Sequence, residues 1–180
     1  MDFKIDISWT LFLDRDGVIN ERIWGGYVTK PEEFKFLEGV PQAINIFNSL
    51  FYKVVVVTNQ QGISKKIMTE SNLIDLHRYV SEELKKTKAE IHHWFYAKEL
   101  ASDPSNTRKP KPAMAHKAKA MFPEIDFHKS IMVGDTDSDI LFGKNLGMKT
   151  VRIKTEETIN EQADITLSSL YEFAKMLNND

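Results

Sequence analysis

The chain has 180 residues, of which 42% are hydrophobic and 28% are charged, and its formal net charge is −2. These values are typical of one soluble globular domain, and the charge excludes a strongly basic surface for nucleic acid or anionic membranes. Cysteine is absent, which excludes disulfides and thiolate metal sites. Without a signal segment or a long apolar run, we expect one cytoplasmic domain, residues 1–180, that binds neither nucleic acid nor membranes. The oligomeric state is left open.

The hydrophobic pattern predicts strands that alternate with helices along the chain. Continuous apolar or β-branched runs predict strands at residues 11–13, 53–57, 91–97, 130–133, 150–153 and 164–166. Apolar residues at helical spacing predict helices at residues 41–51, 70–86, 113–121, 140–146 and 170–177. This alternation implies right-handed crossovers between parallel strands. The expected fold is α/β, a doubly wound three-layer sandwich with a mostly parallel central sheet.

Polar side chains follow three of the predicted strands, at the point where each strand ends. They are Asp14 and Asp16, Thr58 and Asn59, and Asp135 and Asp139. Because the carboxyl ends of parallel strands meet at one edge of a sheet, we expect these groups to converge on a single site. Lys109 comes from a loop that leads into a predicted helix, and it can reach the same edge.

These residue types suit phosphoryl transfer. One carboxylate can attack phosphorus and form an aspartyl-phosphate, while another protonates the leaving oxygen and later deprotonates water. The carboxylates of Asp14 and Asp16 repel each other, so a hard cation such as Mg²⁺, which takes oxygen ligands, explains their place after a buried strand. The alternative is an ordinary polar turn, in which Asp and Gly are common.

Four segments in order resemble the motifs of the haloacid dehalogenase-like phosphatases: Asp14-Arg15-Asp16-Gly17, Thr58-Asn59, Lys109, and Gly134-Asp135 with Asp139. Residues 12–20, 26–28, 58–60 and 108–112 look more narrowly like one subgroup. That subgroup contains the D-glycero-D-manno-heptose 1,7-bisphosphate phosphatases and the histidinol-phosphate phosphatases. The resemblance implies a Rossmannoid, haloacid dehalogenase-like fold with short loop inserts and no large cap domain.

The resemblance also implies a metal and an acid/base role for the acidic residues. Asp14 would be the nucleophile and a Mg²⁺ ligand, and Asp135 would be the second carboxylate on the metal. Asp16 would be the general acid/base and would offer its backbone carbonyl to the metal. Asp139 would support this site, although it could equally serve the positive end of its own helix. Asp137 is interpreted as a helix N-cap or a solvent-facing residue.

Four further residues are expected to bind the substrate. By the resemblance, Thr58 and Lys109 would hold phosphoryl oxygens and complete the catalytic set, and Asn59 would contact the substrate. Arg108 matches the substrate-phosphate arginine of the subgroup, and its planar guanidinium suits bidentate binding of phosphate.

The sequence departs from the subgroup in two loops. Relatives usually bind a structural zinc through cysteines and a histidine before the Arg108-Lys109 segment, and this chain has no cysteine. We therefore expect no zinc, which leaves the shape of that loop open. Gln61 stands where the subgroup usually has a serine, and Lys65 and Lys66 are either solvated or serve a distal phosphate.

The sequence therefore predicts a Mg²⁺-dependent phosphatase that acts on a small phosphorylated metabolite. The resemblance favours removal of the 7-phosphate of D-glycero-D-manno-heptose 1,7-bisphosphate, with histidinol-phosphate phosphatase as the alternative. A polynucleotide 3′-phosphatase is disfavoured by the absence of net positive charge, since nucleic-acid binding depends on phosphate neutralisation. A non-catalytic relative is disfavoured because all four motifs are intact.

Overall fold

The central sheet has six parallel strands, as the sequence predicts. The computed structural model describes residues 3–178, and its strands are β1 (Thr10–Leu13), β2 (Lys53–Asn59), β3 (His93–Ala97), β4 (Ser130–Gly134), β5 (Lys149–Ile153) and β6 (Ile165–Leu167). Their order across the sheet is β3-β2-β1-β4-β5-β6, and every neighbouring pair is parallel. Strands β2 and β3 therefore lie on one side of β1, and strands β4 to β6 lie on the other. Doubly wound sheets bind ligands in the crevice where the strand order reverses in this way.

Helices cover both faces of the sheet. They are α1 (Val40–Leu50), α2 (Glu70–Lys85), α3 (Ala113–Met121), α4 (Asp137–Asn145) and α5 (Leu170–Asn178), with 3-10 turns at Pro31–Glu33 and Phe127–Lys129. Apolar residues of α1, α2 and α5 form one core with Leu11 and Leu13, while α3 and α4 pack in a second core with Phe12. Successive side chains of β1 thus point into opposite layers, which confirms the predicted three-layer sandwich.

The helix ends follow the sequence signals. Thr69 caps α2, and its hydroxyl accepts a hydrogen bond from the backbone N–H of Asn72. Gly147 follows α4 with φ of +73°, the left-handed conformation that glycine adopts at low cost. The predicted limits agree with the structure to within about two residues, except that α4 begins at Asp137 instead of residue 140. Within residues 3–178, no helix combines the length and apolar character needed to cross a bilayer.

Candidate active site

A cavity of about 300 Å³ lies at the carboxyl edge of the sheet, beside the ends of β1 and β2 and the start of α4. Its lining includes seven of the eight predicted site residues: Asp14, Asp16, Thr58, Asn59, Arg108, Lys109 and Asp139. Asp135, the eighth, borders an adjoining cleft with Gly17 and Arg22. The fold therefore brings together the polar groups that the sequence places at three separate strand ends.

Lys109 joins two of the carboxylates below the cavity. Its Nζ lies 2.7 Å from Asp14 Oδ1 and 2.6 Å from Asp139 Oδ1, and it donates a 2.7 Å hydrogen bond to the carbonyl of Val57. Burial alone would lower the pKa of Lys109, but the carboxylates of Asp139 and Asp14 outweigh burial and raise that pKa. The ammonium group is therefore charged and is held between the two carboxylates.

Three buried carboxylates form a cluster that fits a metal ion. Asp14, Asp135 and Asp139 each offer one oxygen atom, and these atoms lie within 4.8 Å of one another. Burial raises the pKa of Asp14 to about 6 and, together with the charges of Asp14 and Asp139, raises the pKa of Asp135 to about 8. Such shifts mean that the cluster resists carrying all its negative charges at once. A hard divalent cation with oxygen ligands would relieve that repulsion.

The Asp135 carboxylate approaches the first motif closely. A side chain at Gly17 would drive its Cβ into the Asp135 carboxylate, and Gly17 has φ of +90°. Gly134 is equally constrained, because a Cβ there would collide with the side chain of Asp139. Both motif glycines therefore let the acidic residues come together.

The Asp16 side chain is not part of the acidic cluster and is bound by three neighbours. Arg15 Nη2 donates to both carboxylate oxygens at 2.9 Å, and the amide groups of Asn20 and Gln60 each donate at 2.9 Å. These contacts lower the pKa of Asp16, although burial is the largest single influence and acts in the opposite direction. Gln60 also donates to Thr58 Oγ1 at 3.0 Å, so one amide links Asp16 with Thr58.

Three contacts around the site were not predicted from the sequence. Arg15 is fully buried, and its Nη1 lies 3.4 Å from the Nε2 of His77, whose ring stacks on Trp94. His77 therefore packs against the first motif from a distant helix. Arg22 Nη2 donates to Asp135 Oδ1 at 2.9 Å. No local signal predicts the contact of Arg15 with His77 or of Arg22 with Asp135, because each joins distant segments of the chain.

The first turn of α4 shows that Asp137 is not the N-cap, and it gives Asp139 both of the roles that the sequence offered as alternatives. Thr136, not Asp137, is the N-cap of α4. Asp139 completes the capping box, because its Oδ2 accepts a 3.0 Å hydrogen bond from the backbone N–H of Thr136. Its other oxygen pairs with Lys109, so Asp139 serves both its helix and the acidic cluster. Asp137 instead accepts hydrogen bonds from Arg152 and from the backbone N–H groups of Asn160 and Glu161.

Comparison with known proteins identifies the family. A family model described as HAD-hydrolase-like matches residues 106–172. A D-glycero-beta-D-manno-heptose-1,7-bisphosphate 7-phosphatase from Helicobacter pylori strain J99 is 33% identical, covering 86% of this chain and 88% of its own. A D-glycero-alpha-D-manno-heptose-1,7-bisphosphate 7-phosphatase from Mycobacterium tuberculosis strain CDC 1551 is 31% identical, covering 93% and 90%. The chain belongs to this family of haloacid dehalogenase-like phosphatases.

A solved structure shares the fold of this phosphatase. The D,D-heptose 1,7-bisphosphate phosphatase from B. bronchiseptica, complexed with magnesium and phosphate, superposes with a TM-score of 0.85. The two chains are 23% identical, and the match covers 95% of this chain and 98% of the other. This likeness confirms the predicted haloacid dehalogenase-like architecture.

The outer wall of the phosphatase cavity is formed mainly by residues 22–28, together with Arg108. Arg108 is half-buried there, and the amide of Asn59 binds the backbone of Lys109 through hydrogen bonds of 2.9 and 3.3 Å. Asn59 therefore positions the Arg108-Lys109 segment. Lys65 is exposed, with its Nζ 5.5 Å from the centroid of the Tyr27 ring. Tyr27 and Trp24 both line the cavity.

Proposed function

We propose that this protein is a Mg²⁺-dependent phosphatase that removes the 7-phosphate of D-glycero-D-manno-heptose 1,7-bisphosphate through an aspartyl-phosphate intermediate. The observation that carries the proposal is the buried contact of Lys109 with Asp14 and Asp139, beside Asp135 and below an open cavity. The names of the relatives support the heptose bisphosphate, and they include both the alpha and the beta anomer.

Asp14 is the proposed nucleophile. A carboxylate oxygen attacks phosphorus, a new O–P bond forms, and the bond from phosphorus to the sugar oxygen breaks. Lys109 fixes Asp14 Oδ1 at 2.7 Å, which limits the rotation of the carboxylate and supports one direction of attack. The sugar oxygen leaves with the bonding electron pair and needs a proton.

Asp16 is the proposed source of that proton, and it later takes one from the water that attacks the aspartyl-phosphate. The contacts with Arg15, Asn20 and Gln60 keep Asp16 ionised, which is the state that a general base requires. The acid step requires protonation first, and the negative charge of an entering phosphate favours it by raising the pKa of a nearby carboxyl. Water returns Asp14 to its free form and releases inorganic phosphate.

Charge on the transferring group is offset by neighbours on three sides. Thr58 lines the cavity and offers a hydroxyl, and Lys109 offers a charged ammonium group. Asp14, Asp135 and the backbone carbonyl of Asp16 are the proposed Mg²⁺ ligands, with Asp139 in support through Lys109. When bound, Mg²⁺ neutralises the carboxylates and the phosphoryl oxygens together. These contacts are strongest where charge spreads over the oxygens in the transition state.

Arg108 is the proposed contact for the distal phosphate of the substrate. It is half-buried in the cavity wall, and its Nη1 has one long contact, 3.5 Å, with the carbonyl of Glu99. Its other guanidinium N–H groups have no hydrogen-bond partner within residues 3–178, and such a group in a cavity suits a bidentate contact with phosphate. A net charge of −2 supports a small-molecule substrate over nucleic acid, and we propose a single cytoplasmic domain.

The deciding experiment is phosphate release from both heptose 1,7-bisphosphate anomers, histidinol phosphate and simple sugar phosphates. Each compound is tested with Mg²⁺, with EDTA and with the D14N variant. We expect rapid release from one heptose anomer that requires Mg²⁺ and is lost in D14N. Turnover of histidinol phosphate alone would keep the mechanism and overturn the substrate. Release that is unchanged in EDTA or in D14N would overturn the mechanism.

A further inference from the structure

A cationic side chain of the protein itself lies at the oxygen atoms that we propose for the metal. Arg22 Nη2 donates to Asp135 Oδ1 at 2.9 Å and to the backbone carbonyl of Asp16 at 3.2 Å. Asp135 and that carbonyl are two of the three proposed Mg²⁺ ligands. Arg22 thus binds the same part of the site as the cation.

The buried carboxylate explains why a cation is needed there. The Asp135 side chain is only 3% exposed, and an ionised carboxylate that is buried without a partner is strongly unfavourable. Arg22 supplies a guanidinium, which stays protonated under all ordinary conditions. Burial alone would lower the pKa of Arg22, but the charges of Asp135 and Asp14 outweigh burial and raise this pKa above its usual value.

Arg22 reaches this position from the solvent side and is anchored there. Its Nη1 pairs with Glu157 Oε1 at 2.5 Å, and its guanidinium carbon lies 5.6 Å from the centroid of the Trp24 ring. The Arg22 side chain is 21% exposed, and both Arg22 and Glu157 line the cavity. The guanidinium can therefore leave Asp135 for the cavity without any change in the core.

We propose that Arg22 is a resident counter-ion that competes with the divalent cation for Asp135 and the Asp16 carbonyl. Two cations on the same pair of oxygen atoms repel each other strongly in a site shielded from water. Binding of the metal therefore displaces Arg22 from Asp135, and the contact between them holds the acidic residues together when the metal is absent. The inference rests on the proposed metal site.

The consequence is that removal of Arg22 strengthens binding of the metal. Loss of any positive charge near the site also strengthens it through space, so a matched charge must be removed elsewhere in the cavity. Arg108 is suitable because it lines the same cavity and has no hydrogen bond to Asp135 or Asp16 among the described contacts of residues 3–178. Removal of Arg22, which competes directly, should therefore strengthen metal binding more than removal of Arg108, which acts only through its charge.

The test is calorimetric titration of Mn²⁺, which takes oxygen ligands as Mg²⁺ does, into metal-free protein without substrate. Wild type, R22Q, R22M, R108Q and D135N are compared, and each fold is checked by circular dichroism. We expect the Kd for Mn²⁺ to fall about tenfold in R22Q and R22M, and by less than about threefold in R108Q. D135N should not bind Mn²⁺ measurably.

Equal effects in R22Q and R108Q, or weaker binding in R22Q and R22M, would overturn the competition while the metal site stands. Absence of Mn²⁺ binding in wild type would overturn the proposed metal site and, with it, this inference. The two failures are distinguishable, because only the second removes the difference between wild type and D135N. If R22Q does not fold, R22M decides, since its apolar stem replaces the packing of the arginine.

Discussion

Lys109 Nζ lies within 2.7 Å of both Asp14 Oδ1 and Asp139 Oδ1, so one ammonium group is the shared counter-ion of two buried carboxylates. Asp14 follows β1, Asp139 is in α4, and Lys109 precedes α3. This contact therefore ties together three segments that are distant in sequence. It also combines two tasks, because the proposed nucleophile is held in place by a residue that stabilises the fold.

The first prediction concerns Lys109→Met. The substitution leaves the carboxylates of Asp14 and Asp139 without their shared counter-ion, and breaking such a buried pair costs roughly 3–5 kcal/mol of stability. We also expect phosphate release to fall by about 10²-fold or more, since a donor to the transferring group is lost. Urea denaturation and a phosphate-release assay measure the two effects.

A second variant separates charge from packing at the same place. K109M/D139N removes one of the two unpaired charges, while the amide introduced by D139N keeps an oxygen for the capping hydrogen bond from the backbone N–H of Thr136. It should regain part of the lost stability and none of the activity. A K109M protein as stable as wild type would contradict the importance of this contact.

The second prediction concerns Asp14→Asn. Burial raises the pKa of Asp14 to about 6, so the folded protein does not favour a charge at this position and a neutral amide is tolerated. We expect the free energy of unfolding in EDTA to be close to that of wild type, while kcat falls at least about 10³-fold because the nucleophile is gone. Near-normal turnover in D14N would exclude the aspartyl-phosphate route.

The third prediction concerns the dependence of stability on pH in metal-free protein. Burial raises the pKa of Asp135 to about 8, so between about pH 4 and pH 8 the folded state holds a proton that the unfolded state has lost. Stability contributed by this group is therefore present at low pH and is lost as the pH rises toward 8. Thermal melts in EDTA should show wild type losing stability relative to D135N across this range.

Added Mg²⁺ should replace the proton on Asp135. It should stabilise wild type more at pH 8 than at pH 5, since the metal binds the ionised carboxylate. D135N should gain little stability from Mg²⁺ at either pH. Equal stabilisation of the two proteins by Mg²⁺ would mean that Asp135 is not a ligand.

The fourth prediction concerns Gln60→Leu. Gln60 is fully buried, and its amide donates to Asp16 Oδ2 at 2.9 Å and to Thr58 Oγ1 at 3.0 Å. Without these two hydrogen bonds, the proposed acid/base Asp16 and the proposed phosphate-binding hydroxyl of Thr58 are no longer held in a fixed relative position. We expect kcat to fall about tenfold or more with a smaller change in KM. Q61L is the matched control, because Gln61 does not line the cavity, and its kinetics should be close to those of wild type.

Strand and helix positions were predictable because apolar periodicity is a local property of the chain. The β-branched run at residues 53–57 gives β2, and the Thr69 cap gives the start of α2. Convergence of the motif residues was also predictable, because parallel strands bring their carboxyl ends to one edge.

Contacts that depend on long side chains were not predictable in this way. Arg22 reaches Asp135 and Glu157 across 113 and 135 positions of sequence, and nothing near Arg22 indicates such partners. Asp137 was interpreted as an N-cap or a solvent-facing residue, and it is Thr136 that takes the cap. The side chain of Asp137 is instead engaged by the segment between β5 and β6.

The fifth prediction concerns Asp137→Asn and that segment. Burial would raise the pKa of Asp137, but hydrogen bonds from the N–H groups of Asn160 and Glu161 outweigh it and lower the pKa to about 2. D137N should therefore cost roughly 1–2 kcal/mol at pH 7. The difference from wild type should shrink as the pH falls from about 4 toward 2, because the stabilising charge is then lost.

D75N, which breaks an exposed pair with Arg78, is the control and should cost less than about 0.5 kcal/mol. Equal losses in the two variants, measured by urea denaturation, would show that Asp137 does not anchor the segment.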